Sequence, residues 1–175
     1  PVPHAVSPAL RRRLQQCYEH GTKLFQQENY DHDYAHSILV ECVLNDPGKT
    51  AYVEAVLQNL QRKYKNNKRG ALLRGFAGRA GFKRALAKKD WVEVLRRGIA
   101  LLQTNPWDVP VLRGLAAACA AFGYHEAELR YLKNALEAGP RDPEINQHCA
   151  RSLARVGQFD LHDDVAGRKS RGRCR

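Results

Sequence analysis

Several features that would assign a class of function are missing from this 175-residue sequence. It has no methionine, and it has no apolar run of the roughly 18 residues that a membrane-spanning helix requires. No secretory series of charged, apolar and small residues opens the chain. We therefore expect a cytoplasmic protein without a membrane span. Because the chain opens with Pro1-Val2-Pro3, we also expect a fragment or a processed segment.

Paired cysteine spacing is missing as well. The number of cysteines is odd, and none of them forms a Cys-x-x-Cys pair: Cys17, Cys42, Cys119, Cys149 and Cys174. The first four occupy positions where a helix takes small apolar residues. Such cysteines are typical of core thiols in a reducing compartment, so the sequence predicts no disulfide framework.

The sequence also lacks the usual motifs of catalysis. It has no serine-centred elbow and no HExxH, and the glycine series at 75–81 has the wrong spacing for a phosphate loop. His32 and His36, with Asp31 and Asp33 beside them, offer possible ligands but match no closed zinc signature. We therefore predict that the protein is not an enzyme and has no catalytic residues, no cofactor and no metal.

What the sequence does contain is a repeated helical pattern. Within 109–142, a first apolar helix pattern ends at Gly123 and a second one ends at Gly139-Pro140. Pro106 and Pro140 are 34 residues apart, and so are Gly123 and Gly157. A fixed period of this length indicates an array of helix pairs.

At these residues the chain resembles the tetratricopeptide repeat family. In that family helix A carries Trp-x2-Leu-Gly-x2-Tyr, helix B carries Ala-x3-Phe, and a proline closes the repeat. Here the helix-A positions are filled by Leu112, Leu115, Ala116 and Cys119. The helix-B alanine position falls on Glu128, next to Ala127. The resemblance implies an all-α fold, a right-handed solenoid of antiparallel helix pairs with about three to four partly degenerate repeats.

The same pattern divides the chain into five segments. They are a disordered lead-in at 1–9, a divergent helical repeat unit at 10–65 and a basic glycine-rich linker at 66–78. The tetratricopeptide-like (TPR-like) repeats follow at 79–160, and a basic tail at 161–175 ends the chain. The repeat region comprises 79–108, 109–142 and an incomplete repeat at 143–160. The last repeat is incomplete because no apolar helix pattern follows the turn predicted at 157–160.

The resemblance also implies a binding surface, since helix A lines the concave side in this family. Its register selects six side chains, five of them basic: Arg79, Lys83, Arg113, Gln147, Arg151 and Arg155. Arginine offers forked donors to a carboxylate. The sequence therefore favours a scaffold for protein–protein interaction that binds an acidic peptide or helix of another protein. Ala117, Ala120 and Ala121 leave the middle of this surface without polar side chains.

A first alternative follows from the uneven distribution of the net charge of +11. The segment 61–89 has eleven basic residues and no acidic one, with Tyr64, Phe76 and Phe82 among them. Basic side chains beside aromatic rings suit single-stranded nucleic acid. A nucleic-acid-associated module would use Arg62, Lys63, Lys65, Lys68 and Arg69.

A second alternative is self-association. A helix A without its helix B leaves an apolar face uncovered. The segment 143–160 is therefore a possible contact between copies of the chain, which would make the protein a homo-oligomer.

Overall fold

The structure, a computed structural model, describes residues 6–67 and 78–170, with side chains described as far as residue 157. In these ranges every regular element is helical, which confirms the predicted all-α class. The α-helices are α1 Pro8–Lys23, α2 His32–Asn45, α3 Thr50–Lys63, α4 Arg79–Lys88, α5 Trp91–Leu102, α6 Val109–Ala121, α7 His125–Ala138 and α8 Pro143–Ser170. A short 3-10 turn, Leu24–Gln26, follows α1. Most of the predicted lead-in, most of the predicted linker and the end of the tail lie outside the described residues.

Side-chain caps fix where several helices begin. Ser7 Oγ accepts a hydrogen bond from Leu10 N at 3.2 Å, at the start of α1. Asp108 Oδ1 accepts one from Val111 N at 3.2 Å, and Asp142 Oδ1 accepts one from Glu144 N at 2.9 Å. Each cap satisfies a backbone N–H that has no partner within the first turn. Asp108 and Asp142 are 34 residues apart, so α6 and α8 begin in phase with the sequence repeat.

One continuous hydrophobic core runs from Leu14 on α1 to Ile145 on α8. Phe82 on α4 is part of this core, with 4% of its surface exposed. It fits there because Gly114 on α6 has no side chain, and a Cβ atom at that position would lie 2.5 Å from the phenyl ring. Phe82 is therefore a packing residue and offers no exposed ring to a nucleic-acid base.

The N-terminal helices meet the rest of the chain through α2, which packs against α5, and through α3, which packs against α7. The Arg130 guanidinium on α7 is 3.3 Å from the Glu54 carboxylate on α3, and the Thr50 hydroxyl donates to the Glu126 carboxylate at 3.2 Å. Apart from its contacts with α1 and α2, α3 packs mainly against α7. A linear continuation of the repeat would have packed α3 mainly against α4. The sequence did not predict this arrangement.

The last helix differs from the sequence expectation. The sequence predicts a turn at 157–160 and a basic tail at 161–175, but α8 continues through Gly157 to Ser170. The chain has no proline between Pro143 and the end of α8, so the backbone hydrogen bonds are not interrupted there. A turn would gain stability only if a second apolar helix packed back on the first, and this segment has no such apolar pattern.

Candidate functional site

An open groove of about 580 Å³ lies between α6 and α8. Alanines of α6 form one side, and α8 supplies two arginines and a histidine on the other. Its lining residues are Ala117, Ala120, His148, Arg151, Ala154 and Arg155. Methyl side chains leave room close to the backbone, so a bound chain can approach the helices while cationic groups stand beside it. Of the three alanines that the sequence places in the middle of the concave surface, Ala117 and Ala120 form the floor of this groove, and Ala121 does not line it.

Beside the groove, Glu128 on α7 is completely buried and joins α7 to α8. Its Oε1 atom accepts a hydrogen bond from Arg155 Nη2 at 2.7 Å and lies 3.2 Å from His148 Nε2. The Ser152 hydroxyl donates to the same oxygen. Residues 148, 152 and 155 follow the helical spacing of one face of α8, so a single carboxylate reaches all three.

These neighbours determine the ionisation of Glu128. Burial raises the pKa of this carboxyl, but the hydrogen bonds from His148 and Ser152 and the charge of Arg155 together outweigh it. The net result is a pKa below the ordinary value of a glutamate. Glu128 is therefore an anion at neutral pH. It holds the Arg155 guanidinium at one edge of the groove.

Arg151 and Arg155 give the groove its chemistry. A guanidinium carries five N–H donors, and in Arg155 the donors to Glu128 and Ser152 belong to Nη2. Its side chain is still 37% exposed. Arg151 lies one turn earlier and is exposed, and no ion pair joins it to another described side chain. Two guanidinium groups beside an apolar floor can bind a carboxylate or phosphate attached to an apolar chain.

The other predicted peptide-binding residues do not line this groove. Arg113 forms an ion pair with Glu144, and Arg79 forms one with Asp108, the N-cap of α6. Lys83 on α4 and Gln147 on α8 are exposed. The structure therefore brings Arg151 and Arg155 together, while Arg79 and Arg113 link helices within the molecule.

Sequence reasoning missed the part played by Glu128, His148 and Ser152. The available signal was an acidic residue at a repeat position that the family fills with alanine. A buried carboxylate requires hydrogen-bond donors or a cation. Polar residues at 148, 152 and 155, spaced for one helix face, were the candidates to supply them.

The basic segment that would serve nucleic acid is partly engaged within the molecule. Arg62 Nη1 donates to the Phe25 carbonyl at 2.8 Å, and Lys63 forms an ion pair with Asp33. The Tyr64 hydroxyl donates to the Gln103 carbonyl at 2.7 Å. Lys65 is exposed, while Lys68, Arg69 and Phe76 lie outside the described residues.

Comparisons with known proteins add no relative to this picture. No family model matches the sequence, and no curated protein matches it. Within residues 6–67 and 78–170, no helix is long and apolar enough to cross a membrane. In the part of the chain with described side chains, no three His, Cys, Asp or Glu residues cluster as metal ligands. The likeness to the tetratricopeptide family therefore rests on the repeat pattern itself.

Proposed function

We propose that the chain is a non-catalytic protein-interaction module that binds an acidic peptide or helix of another protein in the groove between α6 and α8. In this proposal residues 79–160 form a short right-handed TPR-like solenoid. The observation that carries it is the pair Arg151 and Arg155 beside an alanine floor, with Arg155 anchored by buried Glu128. In this proposal Glu128 is a positioning residue, because it acts on the ligand through Arg155.

Anchoring makes Arg155 a better ligand for a carboxylate. A flexible arginine loses rotamer entropy when it binds, whereas one already held by Glu128 and Ser152 loses less. Arg151, which is exposed, supplies a second and more adaptable contact. An acidic side chain of the ligand would pair with the two guanidinium groups, while its apolar atoms lie over Ala117 and Ala120.

The overall charge supports an acidic partner. A net charge of +11 attracts anions at long range and raises their rate of association, an effect that salt screens within about 10 Å at 0.1 M. This long-range attraction does not select one surface of the protein. A test of the proposal must therefore show where the acidic peptide binds as well as how tightly it binds.

The nucleic-acid alternative has weaker support. Asp33 neutralises the charge of Lys63, whereas Arg62 donates to the neutral Phe25 carbonyl, stays exposed and keeps its charge for a phosphate. Tyr64 contacts Gln103 and packs edge-on against Trp107, with 6.1 Å between ring centroids, which removes it as a stacking platform. Self-association has one supporting observation, the 58% exposure of Leu153 on α8.

Fluorescence anisotropy with labelled hexaglutamate tests the proposal, with hexaglutamine as the uncharged control peptide. Arg151→Glu should weaken binding by about tenfold or more at physiological salt. Lys133→Glu changes the net charge equally at an exposed site on α7 and should alter binding by less than about twofold. Equal losses in the two variants would contradict the proposal, since they would show attraction to net charge alone.

Two further measurements separate the alternatives. The first is the binding of labelled oligouridine. Tight binding that persists in Arg151→Glu, but is lost when Arg62, Lys63 and Lys65 are neutralised, would favour the nucleic-acid module. Light scattering at micromolar concentration tests self-association. A dimer that Leu153→Glu dissociates would favour contact through 143–160.

A further inference from the structure

His148 lines the groove between α6 and α8 but has no role in the function proposed above. On α8 it precedes Arg151 by three residues and Arg155 by seven, which places the three side chains on one face of the helix. Its side chain is 15% exposed, so part of the ring is open to the groove. A ligand held by the two arginines therefore lies beside this ring.

The ring of His148 is also joined to the buried carboxylate. Its Nε2 atom lies 3.2 Å from Glu128 Oε1. A neutral imidazole has one N–H, which it can donate to this oxygen through Nε2, whereas a protonated imidazole keeps that bond and has a second N–H and a positive charge. Protonation of the ring can therefore change the charge of the groove without breaking the contact between α7 and α8.

The charges beside the groove make such a change large in proportion. Glu128 cancels one of the two positive charges of Arg151 and Arg155, so protonation of His148 would double the net positive charge of this group. Histidine is the side chain whose charge ordinarily changes between about pH 5 and pH 8. Glu128 stays an anion in this range, because its pKa is below the ordinary value of a glutamate.

Most other titratable groups on the helices around His148 keep their charge between about pH 6 and pH 8. Burial raises the pKa values of Tyr131 on α7, Cys149 on α8 and Cys119 on α6, so all three are neutral there. One turn before His148, Glu144 on α8 is paired with Arg113 on α6.

A second histidine touches the same carboxylate. His125 Nδ1 on α7 lies 3.6 Å from Glu128 Oε2, the oxygen opposite the one that His148 approaches. His125 does not line the groove. Its protonation could act on a ligand only through Glu128, which makes His125 the matched control for His148.

We propose that His148 is a third ligand-binding residue of this groove, and that its protonation strengthens the binding of an acidic peptide. This inference rests on the proposed function, since it concerns the same groove and the same class of ligand. The protonated ring adds a charge and an N–H donor to those of Arg151 and Arg155. It also shares Glu128 with Arg155, so that less of the arginine's charge is cancelled.

Fluorescence anisotropy with labelled hexaglutamate at pH 8 and pH 6 tests this proposal. The peptide stays ionised at both, because a glutamate has an ordinary pKa of about 4.3. We expect the wild type to bind at least about threefold more tightly at pH 6. His148→Gln keeps an N–H donor for Glu128 but cannot titrate, so it should lose most of that gain. His125→Gln, and His20→Gln on the exposed side of α1, should keep it.

The reciprocal effect is measured on the wild type by NMR, and it decides the question even if His148→Gln does not fold. Hexaglutamate should raise the pH at which the His148 ring signal titrates, by about half a pH unit for a threefold gain in affinity. The His125 signal should move less.

Two outcomes would overturn this inference and leave the proposed function standing. One is binding that Arg151→Glu weakens but that has the same affinity at pH 8 and pH 6. The other is a gain at pH 6 that His148→Gln retains in full. If hexaglutamate does not bind at either pH, or if Arg151→Glu does not weaken its binding, the inference and the proposed function are both wrong.

Discussion

Glu128 on α7 accepts a hydrogen bond from Arg155 on α8, with 2.7 Å between Oε1 and Nη2. The carboxylate stands at a repeat position where the tetratricopeptide pattern has alanine. Where that pattern would give a small apolar contact, this chain has an ion pair with hydrogen bonds from His148 and Ser152. The packing of α8 and the orientation of the groove arginine therefore depend on the same buried charge.

Removing that charge should destabilise the protein. Glu128→Ala leaves Arg155, His148 and Ser152 without their common acceptor, and we expect the free energy of unfolding to fall by about 2–3 kcal/mol. Glu128→Gln keeps the shape and one carbonyl acceptor, so its loss should be smaller. Urea denaturation followed by circular dichroism measures both. A loss below about 0.5 kcal/mol in Glu128→Ala would show that the cluster does not hold α8 in place.

The contribution of Glu128 should depend on pH. Its folded-state pKa is lower than the ordinary value of 4.5 that it has when unfolded. The stability that it adds is therefore fully present above that value and is lost as the pH falls through the folded-state pKa. We expect the difference in unfolding free energy between wild type and Glu128→Gln to shrink as the pH is lowered below 4.5. A difference that stays constant as the pH falls would contradict the claim that ionised Glu128 stabilises the folded protein.

Two glycines at the same repeat position should respond in opposite ways to alanine. Gly123 has φ +79°, a left-handed conformation in the turn between α6 and α7, whereas Gly157 lies inside α8. Gly123→Ala should cost about 1 kcal/mol of stability because of backbone strain. Gly157→Ala should add up to about 1 kcal/mol through helix propensity, since none of the described atoms lies within 4 Å of its added Cβ. Urea denaturation of both variants checks the contrast. Equal destabilisation would indicate a turn at Gly157 and contradict a continuous α8.

This pair of glycines also shows how far the sequence could predict the fold. The helix class, the caps at Ser7 and Asp108 and the phase of the repeat follow from local signals that a single sequence contains. Gly123 and Gly157 look identical in that pattern. Their conformations differ because α7 packs back on α6, while the residues after Gly157 have no apolar stripe with which to do so. The packing of α3 on α7 depends on contacts far apart in the chain, which periodicity does not encode.

The candidate site was predictable to a similar degree. Helical register was enough to select Arg151 and Arg155 and to place alanines between the basic side chains. Register gives no information on which arginines are used inside the molecule, because that depends on acidic residues of neighbouring helices. Glu144 and Asp108 engage Arg113 and Arg79 in this way.

The buried thiols should be chemically inert in the folded protein. Burial raises the pKa of Cys42 to about 12, and burial together with the charge of Glu128 does the same for Cys119. Alkylation requires the thiolate, so neither residue should react with iodoacetamide near neutral pH until the protein unfolds. Peptide mapping by mass spectrometry checks this, with the urea-unfolded protein as the positive control. Rapid labelling of Cys119 in the folded protein would contradict the packing of α6.

The most direct test of the central claim is an NMR map of where an acidic peptide binds. In a titration with hexaglutamate, the account predicts that the side-chain Nε–Hε signals of Arg151 and Arg155 shift together, and that they shift less in Glu128→Gln, in which Arg155 is no longer anchored by a charge. Signals of Lys133 should stay in place. Shifts concentrated at Arg62 and Lys65, with those of Arg151 and Arg155 unchanged, would contradict the account and move the binding surface to the basic segment.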